Sequence, residues 1–159
     1  MVLARDFEEF IGLLNKHGVE YLVVGGYALA FHGRPRHTGD LDIWIKVSEE
    51  NAQRMLQVLK DFGLASLGFE KEDFLKEGYV TQIGYPPLRI DILNNIDGVS
   101  FQEAYGNRER VELDGLEVAY IGLREFIQNK EAVGRVRDLS DLKEIQAKQR
   151  LKRGRGRKL

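Results

Sequence analysis

The chain has 159 residues, no cysteine and a formal net charge of −1. This length supports one domain with a substantial core, and the lack of cysteine excludes disulfide bonds and cysteine-ligated zinc. Apolar residues make up 43% of the chain and charged residues 31%, as in soluble globular proteins. No apolar run has the length of a membrane span, and residues 1–10 are acidic and amphipathic, unlike a signal peptide. We therefore expect a cytoplasmic protein that does not enter a membrane.

Basic residues are concentrated at the C-terminal end. Residues 148–159 contain seven of the 24 lysines and arginines and no acidic residue. The other 147 residues carry 17 basic and 25 acidic side chains, a net charge of −8. We expect one domain over residues 1–147, followed by a basic, flexible tail over residues 148–159. Such a tail can contact nucleic acid, and the alternative is a solvated, frayed chain end.

Helices and strands alternate in the first half of the chain. An apolar stripe and a following glycine predict a helix over residues 6–17. A buried strand, a short helix and a second strand are expected at 20–24, 27–32 and 40–47. Ser48, followed by two glutamates, predicts an N-cap and a helix that ends near residue 62.

The second half predicts paired strands and then two helices. A short helix is expected at 72–76 and one helical turn at 100–105, and Asp114-Gly115 indicates a hairpin. The expected strands are 79–85, 88–93, 110–113 and 116–121, and the expected last helices are 124–133 and 138–149. Helices that interleave with strands of mixed direction predict an α/β or α+β fold, a mixed β-sheet flanked by helices.

Three aspartates on two predicted strands form the candidate site. Asp40 and Asp42 are two residues apart on one strand, so their side chains share a face, about 7 Å apart along the backbone. Carboxylates this close disfavour joint ionisation, and a hard cation such as Mg²⁺ relieves the repulsion. Asp91 lies in another apolar strand, and three converging carboxylates can hold two Mg²⁺ ions with help from substrate phosphates. The alternatives are a solvated strand edge and an ion pair between Asp91 and Arg89.

Phosphate-binding candidates lie next to the carboxylate strand. Gly25 and Gly26 end the first strand where a helix begins, and backbone N–H groups at such a position can bind phosphate. The same glycines also allow a tight turn, which is compatible with phosphate binding. Arg36 and His37 precede the carboxylate strand and can clamp a triphosphate, or they belong to a solvated basic loop. Trp44 shares the carboxylate face and can stack on a base or pack in the core.

The glycine pair, thirteen intervening residues and the sequence D-L-D-I resemble the signature of the DNA polymerase beta-like nucleotidyltransferase superfamily. The H-G-R-P-R-H-T-G-D-L-D sequence at 32–42 and the run at 130–142 are similar to those of small, stand-alone bacterial and archaeal members, including the abortive-infection toxin type. The resemblance extends over most of residues 5–146. Members of the superfamily often have serine at the second position of the pair, where this chain has Gly26.

The resemblance implies a nucleotidyltransferase fold with C-terminal helices and a Mg²⁺-dependent reaction, with Mn²⁺ as a possible substitute. A nucleoside monophosphate would pass from an NTP, such as ATP, to a hydroxyl acceptor, and pyrophosphate would leave. By the same resemblance, the backbone of Gly25 and Gly26 holds the β and γ phosphates, and Asp40 and Asp42 bind both metal ions. Asp91 would bind the second ion and help to activate the acceptor, as a base or through that ion.

The acceptor and the partners stay open. A tRNA end, a protein side chain and a small molecule such as an aminoglycoside are all compatible acceptors. The short chain suggests that a small helical partner, as in toxin–antitoxin pairs, or a second copy supplies part of the site. Lys130, Arg135 and Arg137 resemble the family's late basic positions and either reach the nucleotide or pair with Asp138 and Asp141. The alternatives are a non-catalytic antitoxin or nucleic-acid-binding module and a sugar-nucleotide transferase that uses D-x-D for Mg²⁺.

Overall fold

The computed structural model of the protein describes residues 3–33 and 39–156, with side chains to residue 152. These residues form seven α-helices and one six-stranded sheet. The helices are α1 (Arg5–Lys16), α2 (Gly25–Phe31), α3 (Glu49–Asp61), α4 (Glu72–Leu75), α5 (Phe101–Gly106), α6 (Leu123–Val133) and α7 (Val136–Gly156). The strands are β1 (Tyr21–Val24), β2 (Asp40–Ile45), β3 (Val80–Tyr85), β4 (Leu88–Leu93), β5 (Glu109–Leu113) and β6 (Leu116–Tyr120).

The sheet is mixed, in the strand order β3-β4-β2-β1-β6-β5. The β2–β4 and β1–β6 pairs are parallel, and the β1–β2, β3–β4 and β5–β6 pairs are antiparallel. The predicted α+β fold with a mixed sheet and flanking helices is thereby confirmed. The β2–β4 pair matters most for function, because it places the strand of Asp40 and Asp42 beside the strand of Asp91.

The core joins α1 and α3 to the buried residues of the central strands. Apolar residues of α1 recur at helical spacing, and α3 begins with Ser48, whose hydroxyl accepts a hydrogen bond from the N–H of Asn51. The stripe of α1 that joins the core consists of Phe7, Phe10, Ile11 and Leu14. In β2 the alternate residues Leu41, Ile43 and Ile45 are buried in the same cluster, which leaves Asp40, Asp42 and Trp44 on the opposite face.

Aromatic contacts cover part of the carboxylate face. The rings of Trp44 and Phe101 meet edge to face, with centroids 5.1 Å apart, so α5 packs on the second half of β2. Trp44 is 1% exposed, which confirms the packing interpretation of this residue. Phe31 of α2 stacks on Tyr120 of β6 with centroids 4.2 Å apart. The first contact fixes α5 on the carboxylate face. Tyr120 pairs with Val23, which pairs with Ile43, so the second contact fixes α2 on the opposite face of the sheet.

The last two helices are separated at Gly134, as predicted, and Gly134 has a left-handed conformation with φ 67°. Helix α7 begins two residues before its predicted start, and it continues to Gly156. The predicted boundary at residue 147 therefore falls inside a helix, while the flexibility of the basic end stays a prediction. Among the described residues, no helix is both long and apolar enough to cross a membrane.

Candidate active site

The turn from β1 into α2 brings Gly25 against Asp42. Val24 pairs with Asp42 across the antiparallel β1–β2 ladder, and α2 begins at the next residue. Gly25 has φ 67°, and a Cβ at this position would clash with Asp42 Oδ2 and lie 2.9 Å from Asp42 Cγ. Only glycine meets both the conformational and the steric requirement. The backbone of the first turn of α2 therefore lies directly beside a carboxylate.

The second contact in the site joins the two parallel strands. Asp42 of β2 is in register with Asp91 of β4, and their side chains interact. The pKa of Asp42 is raised to about 7, mainly by burial and also by the neighbouring carboxyl groups of Asp91 and Asp40. The site therefore concentrates negative charge at a place where water cannot fully screen it.

Arg89 bridges two of the three carboxylates. Its Nε donates a hydrogen bond to Asp91 Oδ1 at 2.8 Å, and its Nη2 donates to Asp91 Oδ2 and to Asp40 Oδ2, both at 3.0 Å. These bonds raise the pKa of the Arg89 guanidinium above its ordinary value. Arg89 thus supplies the positive charge that the cluster needs in this conformation.

The carboxylate oxygens of Asp40, Asp42 and Asp91 are ligands that suit a hard divalent cation, but their present positions do not form a metal-binding geometry. Among the described residues, no group of three acidic or histidine side chains has the geometry to hold a metal ion. In this conformation the Arg89 guanidinium forms ion pairs with both Asp40 and Asp91. The pKa of Asp42 is nevertheless raised beside two other carboxyl groups. A divalent cation bound there would lower this pKa, because it stabilises the ionised carboxylate. The carboxylate oxygens are of the type that Mg²⁺ binds, and an ion at this place would have to displace the Arg89 contacts.

A cavity of about 310 Å³ opens in front of Gly25 and Asp42. Lys130 of α6, Asp138 of α7 and Arg135 between these two helices also line this cavity. Lys130 Nζ lies 3.0 Å from Asp138 Oδ1, and Arg135 Nε donates to Asp138 Oδ2 at 2.7 Å. The ion-pair interpretation of these two basic residues is therefore correct, and the same residues also face the carboxylate site across the cavity.

The structure brings together most of the residues singled out in the sequence. Gly25, Asp40, Asp42 and Asp91 lie in one cluster, with their functional roles still predictions. Arg36 and His37 fall outside the described residues, so their proposed contact with phosphate also stays a prediction. Arg137 is exposed on α7.

Sequence reasoning missed the bridging position of Arg89 within the site and the polar wall that follows β4. Asn95 and Asp97 line the cavity beside Asn129, whose Nδ2 donates to the carbonyl oxygen of Asp97 at 3.0 Å. The N-N-x-D sequence at 94–97 carries turn-forming residues directly after a candidate site strand, which is the signal that would have pointed to this wall.

Comparison with known proteins agrees with this geometry. Residues 3–157 match the family described as nucleotidyl transferase of unknown function (DUF2204). The chain belongs to this family. No curated protein sequence matches the chain.

Two solved structures share the fold. A candidate nucleotidyltransferase from Thermotoga maritima superposes with a TM-score of 0.59 at 16% identity, over 91% of this chain and 92% of that one. An antigenic nucleotidyltransferase-like protein from Paracoccidioides brasiliensis superposes with a TM-score of 0.53 at 16% identity, over 90% of this chain and 75% of that one. At this identity the likeness shows a nucleotidyltransferase-like fold and does not extend to substrates.

Proposed function

We propose that the protein is a Mg²⁺-dependent nucleotidyltransferase that moves a nucleoside monophosphate from an NTP to a hydroxyl acceptor and releases pyrophosphate. One observation carries this proposal: Asp42 and Asp91 face each other in register on adjacent strands, directly beside Gly25 at the start of α2. Membership of a nucleotidyl transferase family supports the general reaction. The superfamily resemblance supports the finer assignment.

The residues divide into a metal-binding group and a phosphate-binding group. Asp40, Asp42 and Asp91 would hold Mg²⁺, which when bound neutralises charge on the phosphates and on the developing transition state. The backbone of Gly25 and Gly26 would bind the β and γ phosphates, because the N–H groups of a first helical turn have no partner within the helix. Lys130 and Arg135 lie across the same cavity and can bind phosphate oxygens once they leave Asp138.

The proposed reaction is an in-line displacement at the α-phosphorus. The acceptor oxygen forms a new bond to this phosphorus as the bond to the bridging oxygen breaks, and pyrophosphate leaves with the electron pair. The hydroxyl proton passes to Asp91. The chain contributes mainly by positioning and by charge, since phosphoryl-group transfer needs little covalent chemistry from the protein.

A second candidate is a non-catalytic antitoxin or binding module on the same fold. The Arg89 bridge favours it, because a guanidinium already balances Asp40 and Asp91 without a cation. Retention of all three carboxylates and of Gly25 favours the enzyme. A non-catalytic protein would have no need for a glycine beside Asp42 or for a buried carboxyl group with a raised pKa.

Label transfer tests the reaction and names the acceptor. The protein is incubated with Mg²⁺, each α-³²P-labelled NTP and a cell lysate divided into RNA, protein and small-molecule fractions. We expect label to enter one fraction, to depend on Mg²⁺ and to be lost in Asp42→Asn. Asp6→Asn, which changes an exposed carboxylate on α1, serves as the matched control and should transfer normally.

The outcomes separate the two candidates. Label in RNA would indicate a tRNA-type acceptor, label in protein a modified partner or the chain itself, and label in the last fraction a small molecule. Transfer that is equal in wild type and Asp42→Asn would contradict the assignment of the site. Absence of NTP binding in the presence of Mg²⁺ would favour the non-catalytic module, whether it acts with a helical partner or as a homodimer.

A further inference from the structure

A second and larger cavity adjoins the one that contains Asp42. Its volume is about 600 Å³, within the usual range of small-molecule sites. Asn95 and Ile96 line both cavities, so the two lie next to each other at the carboxylate face of the sheet. The floor is Trp44, two residues beyond Asp42 on the same face of β2, which corresponds to about 7 Å along the strand.

The walls of this second cavity combine aromatic rings with amide side chains. Phe101 meets Trp44 edge to face and stacks on Tyr105 with centroids 5.3 Å apart, so three rings line one side. Gln102 and Asn95 add amide groups that both donate and accept hydrogen bonds. Aromatic surface with a few amide groups is the combination that recognises a planar heteroaromatic ring.

Trp44 also has an unsatisfied hydrogen-bond donor. The residue is 1% exposed, and its Nε1–H has no hydrogen-bond partner among the described residues. A buried donor without a partner costs free energy, and a ligand acceptor could complete this bond only after a local rearrangement exposed the indole N–H to the cavity.

The two cavities differ in the charged groups that line them. The second cavity has the carboxylates of Glu20 and Glu77 and one ammonium group, Lys46, which lies 3.2 Å from Glu20. Two carboxylates and one ammonium group disfavour the binding of a polyphosphate but do not disfavour an uncharged ring. The first cavity is lined by Lys130 and Arg135 and also by Asp42, Asp97 and Asp138, so it would suit phosphates once a bound Mg²⁺ ion neutralised the carboxylates.

We propose that the second cavity binds the nucleobase and ribose of the NTP, an inference that rests on the proposed function. The triphosphate then lies in the first cavity, and the nucleoside extends along β2 toward α5. Phe101 and Tyr105 contribute aromatic contact, while Gln102 and Asn95 contact the edge of the base. Because both amide side chains can donate and accept hydrogen bonds, Gln102 and Asn95 would determine which base is preferred.

The single tryptophan of the chain makes this placement measurable. Each NTP is titrated into the full-length protein with Mg²⁺, while Trp44 fluorescence and heat of binding are recorded in parallel. We expect saturable quenching or a spectral shift with the same dissociation constant as the calorimetric signal. Inorganic tripolyphosphate, which lacks the nucleoside, should bind without changing Trp44 emission.

A filling variant and its neighbour give a second readout. Gln102→Phe places a ring at the mouth of the cavity, and Glu103→Phe places the same ring at the next position of α5, which does not line the cavity. We expect Gln102→Phe to weaken NTP binding about tenfold or more, because loss of base stacking alone has an effect of this size. Its affinity for tripolyphosphate and its melting temperature should match those of Glu103→Phe.

The results distinguish this inference from the proposed function. NTP binding by calorimetry, with unchanged Trp44 emission and normal affinity in Gln102→Phe, would overturn the placement of the nucleoside and leave the transferase proposal standing. An equal change of Trp44 emission with tripolyphosphate would also overturn the placement. No binding of any NTP in the calorimeter would overturn both proposals.

Discussion

Gly25 and Asp42 are in such close contact that a single added methyl group at residue 25 would overlap the carboxylate. This contact joins the candidate phosphate-binding residue to a candidate metal-binding residue. Gly25 begins α2 directly after β1, and Asp42 lies on β2, the strand that pairs with β1. A change at either residue therefore changes the other, and both proposed binding groups should respond together.

We predict that Gly25→Ala abolishes nucleotide binding. The new Cβ must push the Asp42 carboxylate away, and the left-handed backbone adds strain to any residue other than glycine. Calorimetry with Mg²⁺ and an NTP measures the loss. Gly68→Ala is the matched control, because Gly68 has φ 73° and no atom within 4 Å of its Cβ position. Equal NTP binding by the two variants would refute the contact argument.

Asp42→Asn should stabilise the metal-free protein in a pH-dependent way. The folded-state pKa of Asp42 is raised from 3.8 to about 7, so the folded state binds its proton more tightly than the unfolded state does. Wild-type stability therefore falls as the pH rises from about 4 to about 7, where the folded carboxyl group must ionise.

Melting curves in EDTA at pH 5 and pH 8 test this sign. The asparagine variant and wild type should melt at similar temperatures at pH 5, and the variant should melt about 3 °C or more higher at pH 8, where a shift of this size corresponds to about 1 kcal/mol. Asp6→Asn should show no such pH-dependent difference. If the asparagine variant were less stable than wild type at pH 8, ionisation of the buried Asp42 carboxyl group would not destabilise the folded protein, and the prediction would be wrong.

Arg89→Gln should bind divalent metal more tightly than wild type. The Arg89 guanidinium occupies hydrogen-bonding positions on Asp40 and Asp91 that a cation needs, so metal must displace it. We expect Mn²⁺ affinity, measured by calorimetry or electron paramagnetic resonance, to rise about tenfold, as expected from removing charge-assisted hydrogen bonds that compete with metal.

The metal-free Arg89→Gln protein should also melt at a lower temperature, since the two carboxylates lose their positive partner. Lys71→Gln, which removes an exposed ion pair between Lys71 and Glu49, should change neither quantity. A fall in Mn²⁺ affinity for Arg89→Gln would mean that Arg89 positions the metal ligands and does not compete with the metal.

Asp138→Asn should remove part of the protein's stability at neutral pH and little of it in acid. Hydrogen bonds from Arg135 and then from Lys130 lower the pKa of the buried Asp138 carboxyl group to about 2. This contribution is present above the unfolded pKa of 3.8 and is lost as the pH falls toward 2.

Urea unfolding at pH 7, 4 and 3 measures the effect of Asp138→Asn. We expect a loss of about 2–3 kcal/mol at pH 7, because a buried ionic partner is removed, and a smaller difference at pH 3. Glu112→Gln, a change at an exposed position of β5, should leave stability within about 0.5 kcal/mol of wild type at each pH. A loss for Asp138→Asn that is constant across this range would exclude the ion pair as its cause.

Patterns of residues close together in the sequence correctly predicted where several helices and strands lie. Helical periodicity located α1, the hydroxyl of Ser48 located the start of α3, and Asp114-Gly115 located the hairpin between β5 and β6. The strand order was not predictable from these patterns, because the parallel β1–β6 pair joins residues about one hundred positions apart. The basic C-terminal end lacks a stop signal that periodicity can detect, so the length of α7 was underestimated.

The site was predictable at the level of residue types and less so at the level of contacts. The spacing of Asp40 and Asp42 fixed their common face, and the apolar surroundings of Asp91 indicated that this carboxyl group needs a partner. Arg89 was considered as an ion-pair partner of Asp91, but its bond to Asp40 depends on the β2–β4 register, which no local pattern determines. The same limit applies to the cavity that Gly25 and Lys130 share.

Metal-dependent NTP binding is the measurement that tests the proposed site most directly, since it needs no acceptor. Calorimetric titrations of each NTP are compared with Mg²⁺ and with EDTA, for wild type, Asp42→Asn, Asp91→Asn and Asp6→Asn. We predict saturable binding of at least one NTP that requires Mg²⁺, survives in Asp6→Asn and is lost in both site variants. NTP binding that is indifferent to Mg²⁺ and unchanged in Asp42→Asn and Asp91→Asn would contradict the account.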